Sequence, residues 1–203
     1  YGPLDPHTTL SPRLTPPMIG LGLIEQIAPA DILSHADPDD RDNDGISGRP
    51  NIVLDGPSGE LTLGRFGWKA QTASIRQQAA DAFAGDIGIS TPEEPRHWGD
   101  CTAAQAECLA MPNGVQARLG PVEAPTPVMD LVTFYSQNLA VPARRGLDKP
   151  DVLAGKKVFY DVGCIACHTP KFVTRRDTPN KAQAFQLIWP YSDFLLHDMG
   201  PDL

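Results

Sequence analysis

Two cysteines and a histidine in the last quarter of the chain have the spacing that attaches a haem. Cys164, Cys167 and His168 form a Cys-x-x-Cys-His sequence. In this motif two thiols add across the two vinyl groups of a porphyrin, and the adjacent imidazole binds the iron. Half of a zinc site is the competing interpretation, but the sequence holds no second cysteine pair with this spacing. The motif therefore predicts a covalently bound haem c.

A second axial ligand for the iron is expected downstream of the motif. A low-spin c-type haem takes its sixth ligand most often from methionine or histidine. Met199 stands just before a Gly-Pro pair, where a loop could deliver a thioether from the opposite side of the ring. We expect Met199 to be this ligand. His197 is the alternative ligand, and packing in the core is the alternative role for Met199.

An acidic stretch resembles the first half of a calcium-binding loop. Its aspartates stand at alternate positions before a glycine, so that their oxygens can point inward. The candidate ligands are Asp40, Asp42, Asp44 and the carbonyl of Ile46. Asn51 stands where an EF-hand has its bidentate glutamate, so Asp37, Asp39 or Asp55 would have to complete the shell. A solvated acidic turn is the alternative interpretation.

The other two cysteines, Cys101 and Cys108, bracket a short loop. We expect them to form a disulfide, the alternative being two unpaired thiols. Disulfides persist in the periplasm, and bacterial haem c is attached outside the cytoplasmic membrane. Both features predict a periplasmic protein.

Composition limits the kinds of partner. The chain has 203 residues, a formal net charge of −8 and a pI near 5.0, which excludes a typical nucleic-acid-binding protein. No run of 18 apolar residues occurs, so no membrane span is expected. The expected partner is a periplasmic electron donor or acceptor.

Hydrophobic spacing and capping residues predict a mainly α fold with long irregular connections. Prolines leave residues 1–17 irregular, and residues 61–70 are partly extended. Helices are predicted around residues 18–27, 29–35, 72–83, 126–139 and 151–160, with Thr72 or Ser74 as the N-cap of the third and Thr126, followed by Pro127, as the N-cap of the fourth. We divide the chain into an irregular helical region over residues 1–146, which carries the acidic loop and the Cys101/Cys108 insertion, and a cytochrome c-like haem domain over residues 147–203.

Several segments together resemble one bacterial family. They are residues 11–25, 39–51, 64–70, 139–145, 164–170 and 191–201. In this order they resemble the di-haem oxidoreductases, whose members are described both as peroxidases and as thiol oxidoreductases. The resemblance implies a relation to di-haem cytochrome c peroxidases, which pair two cytochrome c-like domains. It also implies a second haem domain as a partner of residues 147–203.

The sequence departs from that family in two places. Members carry an earlier Cys-x-x-Cys-His sequence that is lacking here, and the chain continues for four residues after Met199. A cytochrome c fold closes with a further carboxyl-terminal helix. We therefore expect a fragment that lacks the first haem domain and the end of the second, and that is inactive by itself.

Three functions follow from these features. The first is a haem redox protein, part of a di-haem oxidoreductase of peroxidase type, whose catalytic residues the sequence does not identify. The second is a single-haem electron carrier with both axial positions of the iron filled. The third is thiol–disulfide exchange at Cys164 and Cys167, which haem attachment would prevent because thioethers do not exchange.

Overall fold

A computed structural model describes residues 4–10, 12 and 14–200. Short helices joined by long irregular connections make up most of it, which confirms the predicted mainly α, loop-rich character. The helices are α1 Leu21–Glu25, α2 Pro29–Leu33, α3 Ile75–Ile87, α4 Ala106–Leu109, α5 Thr126–Gln137 and α6 Pro150–Asp161, with 3-10 turns at Cys164–Ala166 and Lys181–Gln183. Parts of the predicted irregular amino-terminal stretch (residues 1–3, 11 and 13) lie outside the described residues, as do residues 201–203.

Two small antiparallel sheets complete the fold. Strand β1 (Ile52–Asp55) pairs with β2 (Glu60–Leu63), and β3 (Phe172–Val173) pairs with β4 (Leu187–Ile188). The extended residues predicted around 61–70 lie partly in β2. The other three strands are not predicted by the sequence pattern, because two to four residues are too few for an alternation of apolar and polar residues to stand out.

Residues at the amino-terminal ends of α3 and α5 mark where these two helices begin. Helix α3 starts after Ser74, whose Oγ accepts a hydrogen bond from the Gln77 amide at 3.2 Å, as an N-cap does. Ser74 is therefore the cap, and Thr72 is not. Helix α5 has Pro125 as its N-cap, with Thr126 and Pro127 as its first two residues. The predicted N-cap at Thr126 is wrong by one position.

Two hydrophobic clusters form the interior. In the first, α2 and β2 pack with the β3–β4 sheet through Ile27, Ile32, Leu63, Phe172, Ile188 and Leu195. In the second, α3 packs against α5 through Ala79, Ala80, Ala124 and Met129. The first cluster draws residues from both sides of position 146. It therefore joins the two regions into which the sequence is divided.

The long connection between α3 and α5 is closed by one carboxylate and one disulfide. The carboxylate of Glu123 accepts hydrogen bonds from the amides of Ser90 and Gly114, and Cys101 is bonded to Cys108. Among the residues that the structure describes, no helix has both the length and the apolar character needed to cross a membrane.

Candidate haem site

The haem motif is positioned by α6 and by a glycine turn. Proline at the first position of α6 suits a helix start, since that residue needs no amide donor. The helix ends at Asp161, and Gly163 follows with φ +83°, a left-handed conformation that glycine adopts at little cost. This turn leads into the 3-10 turn at Cys164–Ala166. The amide of His168 then donates to the Cys164 carbonyl at 2.9 Å, so both cysteines and the histidine belong to one compact turn.

The imidazole of His168 is oriented by a main-chain carbonyl. Its Nδ1 lies 2.9 Å from the carbonyl oxygen of Tyr191. Because a carbonyl only accepts hydrogen bonds, Nδ1 carries the hydrogen and Nε2 keeps its lone pair. A histidine that binds a metal is usually held in this way through its other nitrogen. The Phe159 ring packs near both residues, with its centroid 6.1 Å from that of His168 and 5.5 Å from that of Tyr191.

Both motif cysteines are free thiols, and both are half-buried. Burial raises the pKa of the Cys167 thiol, and the carboxylates of Asp193 and Asp44 raise it further. The thiolate is the form of cysteine that exchanges disulfides. This environment therefore disfavours thiol–disulfide exchange at Cys167.

A buried aspartate attaches the segment after β4 to the motif. The Asp193 amide donates to the Cys167 carbonyl at 3.1 Å. Its carboxylate accepts from the Leu195 amide at 3.0 Å and lies 2.7 Å from His197 Nε2. The other ring nitrogen of His197 lies 3.9 Å from Cys167 Sγ. Tyr191 and Phe194 hold left-handed backbone conformations, with φ +53° and +60°, which are costly for non-glycine residues.

Neither Tyr191 nor Asp193 is predicted by the sequence as a residue of the site. Tyr191 acts through its backbone carbonyl, so its residue type gives no signal of this role. For Asp193, the sequence signal that could have indicated its contact with His197 is the spacing of four residues between them. The two candidate sixth ligands are placed differently: the Met199 side chain is 67% exposed, whereas His197 is half-buried and engaged with Asp193.

The donor set of this turn fits a haem c. Cys164 and Cys167 are both unbonded and partly accessible, and His168 is exposed, with Nδ1 fixed by the Tyr191 carbonyl and the lone pair of Nε2 left for a metal. Next to them, exposed apolar side chains lie on α6 at Leu153 and Val158 and just after it at Val162, which a porphyrin could contact.

One family of known proteins matches almost the whole chain. Residues 4–203 match the family described as "di-haem oxidoreductase, putative peroxidase". The chain belongs to this family. No curated protein and no solved structure matches it. As a member of the di-haem oxidoreductases, it has haem as its expected cofactor and redox chemistry as its expected function.

The chain also carries the predicted acidic loop. The carboxylates of Asp40, Asp42 and Asp44 come within 4.8 Å of one another. Asp40 and Asp44 each accept a hydrogen bond from a nearby amide, of Gly45 at 3.1 Å and of Ile46 at 2.8 Å.

Two other residues named with the loop are engaged elsewhere. The Asn51 amide donates to the Lys69 carbonyl at 3.0 Å. Asp55 accepts from Ser74 Oγ at 2.8 Å. Asp37 Oδ1 is buried and has no hydrogen-bond partner among the described residues. Of the three carboxylates proposed to complete the shell, Asp55 is therefore the least available.

Proposed function

We propose that the chain binds haem c through Cys164 and Cys167, with His168 as the proximal iron ligand, and serves as the redox module of a periplasmic di-haem oxidoreductase of peroxidase type. The observation that carries this proposal is the pairing of two free, accessible thiols with a histidine whose Nδ1 is fixed by the Tyr191 carbonyl. Membership of the family supports it.

Each residue of the site has a distinct part. When bound, haem supplies an iron that gains and loses one electron. Cys164 and Cys167 anchor the ring, and His168 offers Nε2 to the iron. The Tyr191 carbonyl holds the Nδ1 hydrogen, which keeps the imidazole in one tautomer and raises its basicity. Asp193 keeps the segment carrying Tyr191 against the motif.

Met199 is the proposed sixth ligand, with His197 as the alternative. Its exposed thioether is free to reach the iron, whereas the Nε2 of His197 is engaged with Asp193, which leaves only Nδ1 of His197 for the iron. Met199→Ala should abolish the methionine–iron charge-transfer absorption of the oxidised protein, and His197→Ala should leave it in place. An oxidised wild-type protein that lacks this absorption, and whose spectrum changes in His197→Ala but not in Met199→Ala, would assign the ligand to His197.

The haem proposal is tested by producing the chain in a host with c-type haem maturation. The expected result is one added haem mass and the pyridine haemochrome spectrum of a haem with two thioether bonds. Cys164→Ser and Cys167→Ser should each give a spectrum with one unsaturated vinyl group. The matched control is Cys101→Ser with Cys108→Ser, which should keep both thioethers. A wild-type chain without covalent haem would overturn the proposal.

A single-haem electron carrier is the second candidate, favoured by the presence of two potential axial ligands. If both occupy the iron, adding cyanide or peroxide leaves the spectrum unchanged. If peroxide changes it, an open iron position of peroxidase type is present. Thiol exchange is disfavoured by the raised pKa of Cys167, and titration of free thiols in the haem-loaded protein should detect neither motif cysteine.

Calcium is the proposed ion of the acidic loop, held by Asp40, Asp42, Asp44 and the Ile46 carbonyl. Ca²⁺ prefers such a set of oxygen ligands. Calorimetric titration should show binding that Asp42→Asn weakens and Asp100→Asn, an exposed aspartate outside the loop, does not. Equal binding by both variants would argue for a solvated turn.

Two further proposals concern the setting of the chain. The periplasm is its proposed location, because bacterial haem c is attached outside the cytoplasmic membrane and disulfides persist there. The second haem domain implied by the family is its proposed partner within the whole protein. Fractionation of cells that make the protein would test the location, since recovery in the cytoplasm would contradict it.

A further inference from the structure

The outer face of the β3–β4 sheet combines apolar side chains with cations. On the inner face, Phe172 and Ile188 are buried in the first hydrophobic cluster. On the outer face, Val173, Leu187 and Trp189 are 41%, 49% and 45% exposed. Successive residues of a strand point to opposite faces, so these three side chains share one surface.

Hydrogen bonds extend this surface beyond the two short strands. The Thr174 amide donates to the Gln186 carbonyl at 2.9 Å, and the Phe185 amide donates to the Arg175 carbonyl at 3.2 Å. At the other end, the register of Phe172 with Ile188 places Lys171 opposite Trp189. Phe185, which is 57% exposed, adds a second aromatic ring to the surface.

Basic side chains surround these apolar residues. The Arg144 guanidinium lies 5.4 Å from the centre of the Trp189 ring, and that of Arg176 lies 3.7 Å from the centre of the Phe185 ring. Lys171 and Arg175 are exposed beside them. We call Arg144, Lys171, Val173, Arg175, Arg176, Phe185, Leu187 and Trp189 the basic aromatic face.

The positive charge of this face is local. Between Asp161 and Asp193 the sequence has four lysines and arginines but a single acidic residue, Asp177, in a chain whose net charge is −8. Asp177 is 84% exposed and lies 3.8 Å from Arg175, an exposed pair that contributes little. The cations of the face are therefore mostly uncompensated by neighbours in the sequence.

The face adjoins the proposed haem ligand on both strands. Lys171 follows His168 by three residues, and Trp189 precedes Tyr191, whose carbonyl binds His168 Nδ1, by two. A cavity of about 580 Å³ lies next to Trp189 and Arg144 and is lined by apolar residues of α1. A protein docked here would lie close to the proximal side of the haem.

We propose that the basic aromatic face is the docking site of an acidic one-electron carrier protein. This inference rests on the proposed function, since it takes the haem as the electron acceptor or donor. Interfaces favour tryptophan, other aromatic residues and arginine at their centre. Complementary charge accelerates encounter and sets the orientation of docking. We expect the partner to be acidic because this face carries positive charge, although the whole chain has a net negative charge.

The first test uses small redox ions of opposite charge on the haem-loaded protein. The net charge of −8 predicts that oxidation by anionic ferricyanide speeds up as salt is added. A local cationic face predicts the reverse, a rate that falls about tenfold from low to physiological salt. Cationic tris(phenanthroline)cobalt(III) should show the opposite salt dependence. A ferricyanide rate that rises with salt would overturn the proposal.

Charge-reversal variants locate the effect. Lys171→Glu with Arg176→Glu should remove the fall in the ferricyanide rate, since both side chains are exposed and lie on the face. The matched control, Arg96→Glu with Arg118→Glu, makes the same change in net charge within the α3–α5 connection. In this control the ferricyanide rate should still fall as salt is added. Far-ultraviolet circular dichroism checks that both double variants are folded. Equal behaviour of the two would contradict the docking site.

A binding experiment tests the docking site whether or not haem is attached. An acidic flavodoxin is titrated at low salt into the isotopically labelled chain, with and without haem, and amide shifts are followed by NMR. Shifts over residues 171–189 support the proposal even if no haem is attached, in which case the proposed function alone has failed. An absence of shifts in these residues would reject an acidic partner at this face. So would a salt-sensitive dimer, detected by sedimentation, that is lost in the Lys171→Glu/Arg176→Glu variant.

Discussion

His168 is held by a backbone carbonyl and not by another side chain. This makes its orientation insensitive to the identity of the residue at 191, but sensitive to the path of the chain there. Tyr191 and Phe194 both have left-handed backbone conformations, and Asp193 between them supplies the hydrogen bonds that hold the path. The geometry of the motif therefore depends on the hydrogen bonds made by Asp193.

Asp193→Ala should lower the free energy of unfolding by about 1–3 kcal/mol, because the Leu195 amide and His197 lose a buried acceptor. Urea denaturation of the haem-free chain measures this. Asp198→Ala is the control, since Asp198 is exposed, and it should change stability by about 0.5 kcal/mol or less. A similar effect at both positions would mean that Asp193 has no special role.

Glu123 should make stability depend on pH in the acidic range. Burial raises its pKa, but the hydrogen bonds from the amides of Ser90 and Gly114 and from the Ser90 hydroxyl outweigh this, so its pKa lies below the ordinary value of 4.5. A carboxyl with a lowered pKa stabilises the folded state above its ordinary pKa, and this contribution is lost as the pH falls below it.

Glu123→Gln should therefore be less stable than the wild type at neutral pH, and the difference should shrink below about pH 4. Thermal unfolding of the wild type and the variant, at several pH values between about 3 and 7, measures how this difference in stability depends on pH. Glu107→Gln, at an exposed position in α4, serves as the control. A difference that grows on acidification would contradict the sign of the pKa shift.

At the scale of elements, the close approach of α1 to α5 requires a glycine. A Cβ atom on Gly22 would collide with the carbonyl oxygen of Gln137 and the side chain of Gln183. Helix α6 is different, because none of its residues is buried and Gly155 has open space around it. The same substitution should therefore have opposite effects in the two helices.

Gly22→Ala should cost about 1–3 kcal/mol, because the backbone of α5 must shift. Gly155→Ala should stabilise the protein by about 0.5–1 kcal/mol, since alanine loses less conformational entropy in a helix. Chemical denaturation of both variants measures the difference. Stabilisation by Gly22→Ala would show that the two helices do not approach as described.

At the scale of the whole molecule, one hydrophobic cluster links the two predicted regions. Ile27, Ile32 and Leu63 come from residues 1–146, whereas Phe172, Ile188 and Leu195 come from residues 147–203. A shared core predicts a single cooperative unfolding transition. The proposed haem segment should therefore not unfold separately from the rest.

Phe172→Ala should shift that single transition as a whole, at a cost of about 3–5 kcal/mol. Phe134→Ala is the matched control, because Phe134 is 66% exposed, and it should change stability by about 0.5 kcal/mol or less. Calorimetry of the haem-free chain distinguishes the outcomes. A second transition that alone responds to Phe172→Ala would support two independently folding regions.

The sequence by itself determined the features that depend on neighbours along the chain. The spacing of Cys164, Cys167 and His168 identified the haem motif, capping residues located α3 and α5 to within a few positions, and ordered segments indicated the family that residues 4–203 match. Each of these is encoded within a short window of residues, so it can be read without knowing the fold.

The tertiary structure decided what distant segments do together. The Tyr191 carbonyl on His168, the Asp193 carboxylate beside His197, and the cations around Trp189 and Phe185 all join residues whose contacts depend on how the chain returns on itself. The strands that bring them together are two residues long and carry no periodic signal. Packing of Phe172 and Ile188 into the shared core fixes their register, because a slip by one residue would expose both side chains.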